Sequence, residues 1–393
     1  MVKSGTGKRT AMIVTGEASG DLHGGKLIEA AGRIDPDLTF FGVGGPCMRQ
    51  AGCEIVLPAE DLAVMGFVEV LGHLPTLWRA FRKLRGLLYG DRRPDVLVLV
   101  DFQEFNLLLA RAGRKAGIPV LFFVGPTVWA WRRGRVKHFA RAVDRLAVIF
   151  PFEPDYYAGE DIEVRYVGHP LLDEVQVTCD RNRFLERIGL DPALPVVGLF
   201  PGSRKSELRY NLPTILETAA ALRNRFPEVQ FVMPVASSFN PEEIDHYLGD
   251  NPLAIRNLRE NVYDVANACD AVLTVSGTVT LQVALVGTPM VILYRMAPLT
   301  YAVGRRVVKV PHIGLVNIVA GREIVREFVQ QHAIAANLAQ EIETILRDRQ
   351  YNSAMRRNLE QVRALMGEPG CSERVAKMVI ELSLCHANKE QQI

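Results

Sequence analysis

The sequence has few cysteines and no long apolar run. Its 393 residues include six cysteines, which form no CxxC pair and have no histidine at zinc-ligand spacing, so neither a disulfide framework nor a metal site is expected. No stretch of about 18 consecutive apolar residues occurs, and the polar start lacks the apolar core of a signal peptide. We therefore expect a protein of the reducing cytosol that can lie on a membrane without spanning it.

An excess of charge of one sign is also missing, because the net charge is only +2. That balance argues against a nucleic-acid footprint over the whole chain. Basic side chains do cluster locally, between Arg79 and Arg93 and again between Arg132 and Lys137. These two segments predict local contact with anions.

The chain is long enough for two domains, and 48% of its residues are hydrophobic. Short β-rich runs alternate with helical patterns, which is typical of parallel α/β sheets. The predicted strands are residues 11–15, 39–43, 96–100, 120–124, 146–149, 196–200, 229–234, 271–274 and 290–293. We predict two Rossmann-like domains, over residues 1–172 and 173–366, joined by a polar bridge around 173–191, with a helical tail over 367–393. The packing of the C-terminal helices stays open.

Two glycine-rich segments look like nucleotide loops but are interpreted otherwise. Residues 5–10 lack the first glycine of a P-loop and precede a strand instead of following one. Gly42, Gly44 and Gly45 lack the third spaced glycine of a dinucleotide fingerprint, because Cys47 stands in its place, and no helix clearly opens there. We expect a tight structural turn at this second segment.

The segment GEASGD at residues 16–21 follows the first predicted strand. It places Glu17, Ser19 and Asp21 at the carboxyl end of that strand, which is the edge at which open α/β sheets bind ligands. The alternative is a helix cap, in which Ser19 or Asp21 satisfies free backbone amides. The motif alone does not decide between these two interpretations.

Asp101 ends the very apolar strand 96–100. A carboxylate at the end of a buried strand is suited to act as a base. Sugar transfer needs such a base, because the acceptor hydroxyl loses a proton as it attacks the anomeric carbon. The alternative is that Asp101 only caps the next helix.

Two loops of the second half offer groups that bind a diphosphate. Residues 201–204 follow the strand 196–200, and residues 276–278 follow the strand 271–274 and open a helix. Together they supply amides, hydroxyls and a guanidinium at corresponding strand ends, which favours a nucleotide diphosphate. An ordinary Ser or Thr cap is the alternative for each loop taken singly. The candidate nucleotide-binding residues are Gly202, Ser203, Arg204, Ser276, Gly277, Thr278 and Gln282.

The segment 61–88 is rich in apolar residues and becomes basic in its second half. A basic amphipathic stretch of this kind can lie in a membrane interface, where its apolar residues enter the acyl region and its cations meet lipid phosphates. The alternative is a core helix that is interrupted at Pro75.

These motifs form an ordered series along the chain. The series is GEASGD (16–21), FFGVGGPCM (40–48), LAVMGFVEVL (62–71), VWAWRRGR (128–135), VGHP (167–170), PGSR (201–204), SGTVTL (276–281), YR (294–295) and AGREIV (320–325). It resembles the lipid A disaccharide synthase family from roughly residue 10 to residue 380.

The resemblance implies a GT-B fold, with two Rossmann-like domains facing each other across a cleft and helices at the C-terminus. It implies inverting transfer of a 2,3-diacylglucosamine unit from UDP to 2,3-diacylglucosamine 1-phosphate, which yields a β-1′,6-linked disaccharide and UDP. The implied partners are UDP-diacylglucosamine, acylated glucosamine phosphate and the inner face of the cytoplasmic membrane. The resemblance implies no cofactor and no catalytic metal, and it is compatible with a homodimer.

The resemblance also assigns roles to single positions. Asp101 is implied as the general base, Arg204 as a diphosphate ligand, and Ser276, Thr278 and Asn317 as neighbours of UDP. Metal independence is chemically reasonable, because Arg204 and helix amides can offset the charge of the leaving diphosphate. The implied acceptor side consists of Glu17, Ser19, Asp21 and Asn106. The implied membrane contacts, which would help to extract acylated sugars, are Phe67, Leu71 and Trp78.

The chain departs from the family pattern in two places. Where the family usually has Asp-x-Pro-Asp-Phe-Asn, this chain has Gln103 for the proline and Glu104 for the second aspartate. Gln282 stands where the family has glutamate, so a neutral group replaces a charged acceptor for ribose hydroxyls. Two alternatives therefore stay open. One is a different UDP-sugar transferase or an epimerase of the same architecture, and the other is a diverged paralogue that binds UDP-sugar or lipid without catalysis.

Overall fold

The computed structural model describes residues 8–62, 69–131, 133–236, 239–240, 244, 247–248, 253–308 and 310–390. The chain divides into two compact units. The first unit runs to Asp173 and resumes at Glu368, and the second unit is Glu174–Gly367. Each unit is built on one parallel sheet with helices connecting its strands, so the predicted α/β class is confirmed.

The sheet of the first unit has seven described strands in the order β3-β2-β1-β4-β5-β6-β7. Its central strand β4 reads VLVLV and is buried throughout, as expected for a parallel sheet covered on both faces. The strands are β1 (Arg9–Val14), β2 (Leu38–Gly44), β3 (Glu54–Pro58), β4 (Val96–Val100), β5 (Val120–Phe123), β6 (Arg145–Val148) and β7 (Glu163–Tyr166). The helices up to the unit boundary are α1 (Ala18–Ile34), α2 (Pro46–Gln50), α3 (Glu69–Leu87), α4 (Gln103–Lys115), α5 (Val136–Ala140) and α6 (Leu171–Glu174).

The sheet of the second unit has six described strands in the order β10-β9-β8-β11-β12-β13. The strands are β8 (Val196–Phe200), β9 (Gln230–Pro234), β10 (Arg256–Leu258), β11 (Ala271–Val275), β12 (Met290–Tyr294) and β13 (Glu327–Val329). The described helices are α7 (Arg181–Arg187), α8 (Lys205–Arg225), α9 (Val262–Ala268), α10 (Val279–Val286), α11 (Pro298–Val307), α12 (Leu315–Ala320), α13 (Ala335–Arg347) and α14 (Arg349–Leu365). A last helix, α15 (Cys371–Glu390), returns to the first unit.

The predicted strands are confirmed to within two residues at either end. Four short strands escaped prediction, and they are the four edge strands β3, β7, β10 and β13. The expectation of no clear helix after Gly45 is wrong, because the short helix α2 begins at Pro46. The predicted polar bridge also contains structure, since α7 lies within it and the Asp180 carboxylate accepts hydrogen bonds from the first amides of that helix.

The last helix, α15, is part of the core of the first unit and packs against α1 and the sheet. Cys371, Val375 and Val379 on this helix are fully buried. At its far end, Arg9 forms an ion pair with Asp35 and donates a hydrogen bond from Nη1 to Ser383 Oγ (3.0 Å). The structure thus settles where the C-terminal helices pack. Helices α13 and α14 belong to the second unit and α15 to the first.

Helix α3 continues through Pro75 without a break, so the interruption that the core-helix alternative included is wrong. One face of its second half is buried at Ala80 and Leu84, whereas Trp78 is 58% exposed. Phe67 and the side chain of Leu71 lie outside the described residues. Within the part of the chain that the structure describes, no helix is long and apolar enough to cross a membrane.

A buried carboxyl group lies after β6. Glu153 is 2% exposed and accepts hydrogen bonds from the amides of Ile149 (3.0 Å) and Phe150 (2.9 Å) and from Trp129 Nε1 (3.3 Å). Burial raises the pKa of Glu153 to about 7, although these donors act in the opposite direction. In the folded first unit Glu153 therefore keeps its proton up to a pH of about 7, whereas in the unfolded chain it loses that proton at a pH of about 4.5.

We predict that Glu153 makes the first unit less stable as the pH rises from about 4.5 to about 7. The raised pKa favours the protonated folded state, and the cost of ionisation reaches on the order of 3 kcal/mol above that window. Glu153→Gln cannot ionise and should not show this loss. The unfolding free energy of the wild type minus that of the variant should therefore fall as the pH rises.

Denaturant unfolding followed by tryptophan fluorescence measures this effect, because Trp78, Trp129 and Trp131 all lie in the first unit. The exposed substitution Glu29→Gln on α1 is the matched control and should parallel the wild type. Parallel curves for Glu153→Gln and the wild type would contradict the prediction.

Candidate active site

The loops after β1 and β4 leave the first sheet side by side. These strands are neighbours, with Val14 opposite Leu99 in their register. The chain then runs from β1 toward β2 and from β4 toward β5, in opposite directions along the sheet. A crevice forms at such a switch point, and ligands of open α/β sheets bind there. Glu17 follows β1 and Asp101 follows β4.

The backbone reverses sharply at Asp101. Asp101 and Phe102 both adopt the left-handed region, with φ values of 49° and 47°. This conformation costs free energy for residues other than glycine, and it is found preferentially where function requires it. The turn is held by two hydrogen bonds, from the Asp101 amide to Phe123 O (2.9 Å) and from Asn106 Nδ2 to Asp101 O (2.8 Å).

The electrostatic setting of Asp101 suits a base. Burial raises the pKa of its carboxyl group, the nearby Glu17 carboxylate raises it further, and a hydrogen bond from the Phe102 amide opposes the shift. A carboxylate with a raised pKa accepts a proton more readily near neutral pH. The alternative that Asp101 caps α4 is wrong, because Phe102 occupies the N-cap position of that helix.

The other predicted acceptor residues separate into exposed and buried groups. Glu17 and Ser19 are exposed at the start of α1. Asp21 is 4% exposed, and its carboxylate accepts hydrogen bonds from the amides of Gly45 (2.6 Å), Cys47 (2.9 Å) and Met48 (3.1 Å). Asp21 therefore fixes the loop after β2. The N-cap residue of α1 is Glu17, so neither Ser19 nor Asp21 caps it.

Asn106 is fully buried beneath the same sheet edge. Besides Asp101 O, its Nδ2 lies within hydrogen-bond distance of Val14 O (3.4 Å) and Val100 O (3.3 Å). Its carboxamide therefore joins the ends of β1 and β4. From this buried position Asn106 influences the shape of the crevice by holding the backbone at the ends of both strands.

The second unit repeats this arrangement at the ends of β8 and β11. Those strands are neighbours, with Phe200 opposite Thr274. Gly202 adopts a φ of 98°, and a side chain there would meet the Glu207 carboxylate. Glu207 Oε2 accepts hydrogen bonds from the amides of Ser203 (2.9 Å) and Arg204 (3.2 Å). These amides already bind an internal carboxylate, and the Arg204 side chain, which is 73% exposed, pairs with the same carboxylate (Nη1 to Glu207 Oε1, 3.7 Å).

The loop after β11 is tied to its neighbour across the edge of the sheet. Ser276 Oγ donates a hydrogen bond to Ile313 O (2.7 Å). Thr278 takes the N-cap position of α10, but its side chain makes no capping hydrogen bond with the described residues. Gln282 Nε2 lies 3.5 Å from the hydroxyl of Tyr263, which is a long contact for a hydrogen bond.

Asn317 is fully buried and organises the adjoining loop. Its Oδ1 accepts hydrogen bonds from the amides of Ile324 (2.8 Å) and Val325 (3.1 Å), and its Nδ2 donates to Glu327 Oε1 (2.7 Å). Glu327 in turn accepts hydrogen bonds from the amides of Ile313 and Gly314.

Glu327 and Glu207 were not predicted from the sequence, because a single carboxylate that belongs to no motif gives no signal.

A sequence model of the family described as lipid-A-disaccharide synthetase matches residues 11–378. The chain belongs to this family. Two curated relatives named lipid-A-disaccharide synthase match almost its whole length. The relative from Syntrophotalea carbinolica is 61% identical over 385 residues and 98% of each chain. The relative from Geobacter sulfurreducens is 50% identical over 371 residues, which cover 94% of this chain and 96% of that protein. The chain is accordingly a glycosyltransferase of lipid A biosynthesis.

Solved structures share the fold at low sequence identity. The UDP-GlcNAc 2-epimerase from Neisseria meningitidis, solved bound to UDP-GlcNAc, has a TM-score of 0.61 at 12% identity and covers 95% of this chain and 99% of its own. The glycotransferase of kitacinnamycin has a TM-score of 0.62 at 17% identity, with 96% and 99% covered. The GT-B architecture is thus shared by glycosyltransferases and epimerases, and these likenesses extend to the fold alone.

One departure from the pattern of the lipid-A-disaccharide synthetase family has a partner in the structure. Glu104 forms an ion pair with Arg135 of the segment VWAWRRGR, and the Arg135 guanidinium lies 5.9 Å from the centre of the Trp131 ring. Glu104 therefore links the first turn of α4, which follows Asp101, to a second motif of the family.

We predict that Asp21→Asn lowers the unfolding free energy of the first unit by about 2 kcal/mol, because a neutral amide cannot accept all three backbone hydrogen bonds. Denaturant unfolding followed by tryptophan fluorescence measures the loss. The exposed Asp37→Asn is the control. Unchanged stability together with a raised KM for the acceptor would instead make Asp21 a ligand of the acceptor.

Proposed function

We propose that this chain transfers a 2,3-diacylglucosamine unit from UDP to 2,3-diacylglucosamine 1-phosphate with inversion at the donor carbon. Membership of the lipid-A-disaccharide synthetase family supports the reaction class. The observation that carries the mechanism is the partly buried Asp101 carboxyl group, which lies near Glu17 at the switch point of the first sheet. Glu17 and Ser19, which are exposed at the same edge, are candidates to contact the acceptor sugar.

In the proposed reaction Asp101 acts as a general base. The 6-hydroxyl of the acceptor attacks the anomeric carbon of the donor, and its proton passes to the Asp101 carboxylate. The bond between the anomeric carbon and the diphosphate oxygen breaks as the new glycosidic bond forms, and UDP leaves. The raised pKa of Asp101 strengthens it as a base for a weakly acidic hydroxyl.

We assign the nucleotide to the second unit, where Gly202–Arg204 and Ser276–Thr278 flank neighbouring strand ends. The exposed Arg204 guanidinium is suited to bind the diphosphate, and the N-terminus of α10 offers backbone amides. In this proposal the positive charge of Arg204 offsets the charge of the leaving UDP, so that no divalent cation is required. Gln282 and Asn317 act nearby, the latter by holding the Ile313–Gly314 loop.

In this proposal the acylated substrates are bound from a membrane surface. We propose peripheral association with the inner face of the cytoplasmic membrane through α3. Its exposed Trp78 and the exposed basic residues Arg79, Arg82 and Lys83 support this surface. Phe67 and Leu71 belong to the same proposal on sequence grounds alone.

We predict that Asp101→Asn lowers kcat by about 10²- to 10⁴-fold, the range expected for loss of a general base. UDP binding, measured by calorimetry, should stay unchanged, because the nucleotide is assigned to the other unit. Mass spectrometry of disaccharide and UDP in mixed micelles measures turnover, and the exposed Asp91→Asn is the control. Full activity in Asp101→Asn would remove Asp101 as the base. Turnover of soluble UDP-N-acetylglucosamine without lipid would favour a different UDP-sugar transferase or an epimerase.

We predict that Arg204→Ala weakens UDP binding about 10- to 100-fold through loss of a charge-assisted hydrogen bond. Arg209→Ala, an exposed change on the same helix, should leave UDP affinity unchanged. Incubation with EDTA should leave activity intact. A loss that magnesium restores would contradict the proposed role of Arg204 as the counter-charge.

A further inference from the structure

The ring of Phe102 lies directly against Gly16. A Cβ atom on Gly16 would lie only 2.2 Å from Phe102 Cγ, and 2.5 and 2.6 Å from the two Cδ atoms. Gly16 is not among the glycines with positive φ, so its lack of a side chain is required by this close approach. The contact joins the loop after β1 to the loop after β4.

Phe102 is held in place from its other side as well. Its φ of 47° and ψ of 53° place it in the left-handed region, directly after the left-handed Asp101. Its carbonyl accepts a hydrogen bond from the Asn106 amide (3.0 Å), and its ring centre lies 5.4 Å from that of Phe105. Two successive left-handed residues persist only when their surroundings enforce them. Here the surroundings are the hydrogen bonds that Asn106 donates to the carbonyls of Asp101 and Phe102, and the contact of the Phe102 ring with Gly16.

Gly16 is followed by Glu17, and Phe102 is preceded by Asp101. The ring of Phe102 therefore sits between the backbones that carry the two carboxyl groups of the switch point. Among the described residues, Glu17 is the charged group that acts on Asp101, and the Phe102 amide opposes its effect. A change in the spacing of these two loops would change both the burial of Asp101 and its distance from Glu17.

We propose that Phe102 is a positioning residue, whose ring, seated on Gly16, fixes the separation of the Asp101 carboxyl group from the Glu17 carboxylate. The inference rests on the proposed role of Asp101 as base. It adds that the loop that carries Asp101 takes its shape from the close contact between the ring of Phe102 and Gly16, which has no side chain. Phe102 itself transfers no proton.

The test uses the full-length enzyme and the variants Gly16→Ala, Phe102→Gly and the double variant. In Gly16→Ala the new methyl group collides with the ring, so we expect loss of stability and of activity. Phe102→Gly relieves the left-handed strain and should fold, but we expect kcat to fall about 10- to 100-fold, as for a misplaced catalytic group. The double variant should recover the thermal stability and the activity of Phe102→Gly, because the collision is gone.

The pH dependence of single-turnover rates separates positioning from simple packing. When the ring no longer fixes the loops, Asp101 becomes more hydrated and its pKa falls toward the ordinary value, so the acid limb of the pH–rate profile should move to lower pH in Phe102→Gly. UDP affinity should stay unchanged. If folded Phe102→Gly keeps the wild-type rate and the wild-type acid limb while Asp101→Asn is inactive, this inference alone is overturned. Activity in Asp101→Asn would overturn the proposed function and this inference together.

Discussion

Partial burial of the Asp101 carboxyl group near the Glu17 carboxylate is the constraint on which the chemistry proposed for the first unit depends. The exposed Glu17 carboxylate repels the partly buried Asp101 carboxylate, and the chain holds Asp101 in place with a strained turn, a buried amide and a close glycine contact. Without those contacts the loops would relax and the carboxyl groups would separate or become hydrated. The raised proton affinity of Asp101 is therefore a property of the whole sheet edge.

Carboxylates that accept backbone amides hold the loops of both units. Each bonds to two or more backbone amides of one connecting segment, where helices and strands leave amide groups without partners inside the element. These groups are Asp21, Glu153, Glu207, Asp264 and Glu327. The Glu207 carboxylate bears on the proposed donor side, because it accepts hydrogen bonds from the Ser203 and Arg204 amides and pairs with the Arg204 guanidinium. The proposed recognition of UDP accordingly depends on the exposed Arg204 side chain.

The sequence predicts the parts of the fold that are buried on both faces. Central strands such as Val96–Val100 are continuous apolar runs and are found almost to the residue. The edge strands are only partly covered, so their sequences alternate or stay polar and resemble loops, as in Glu163–Tyr166 with its exposed charged residues. The positions of Glu17, Asp101 and Arg204 at strand ends were also predictable. The direction of each side chain was not predictable. The resemblance implied that Asp21, Asn106 and Asn317 lie near a substrate, and the structure shows that all three are buried.

The most direct test of the account is the pH–rate profile of Glu17→Gln in single turnover with UDP-diacylglucosamine and the acceptor in micelles. Removal of the Glu17 charge lowers the pKa of Asp101, so the acid limb should move to lower pH while UDP affinity is retained. An acid limb that stays at the wild-type pH would show that the two carboxyl groups do not interact, and it would contradict the central claim.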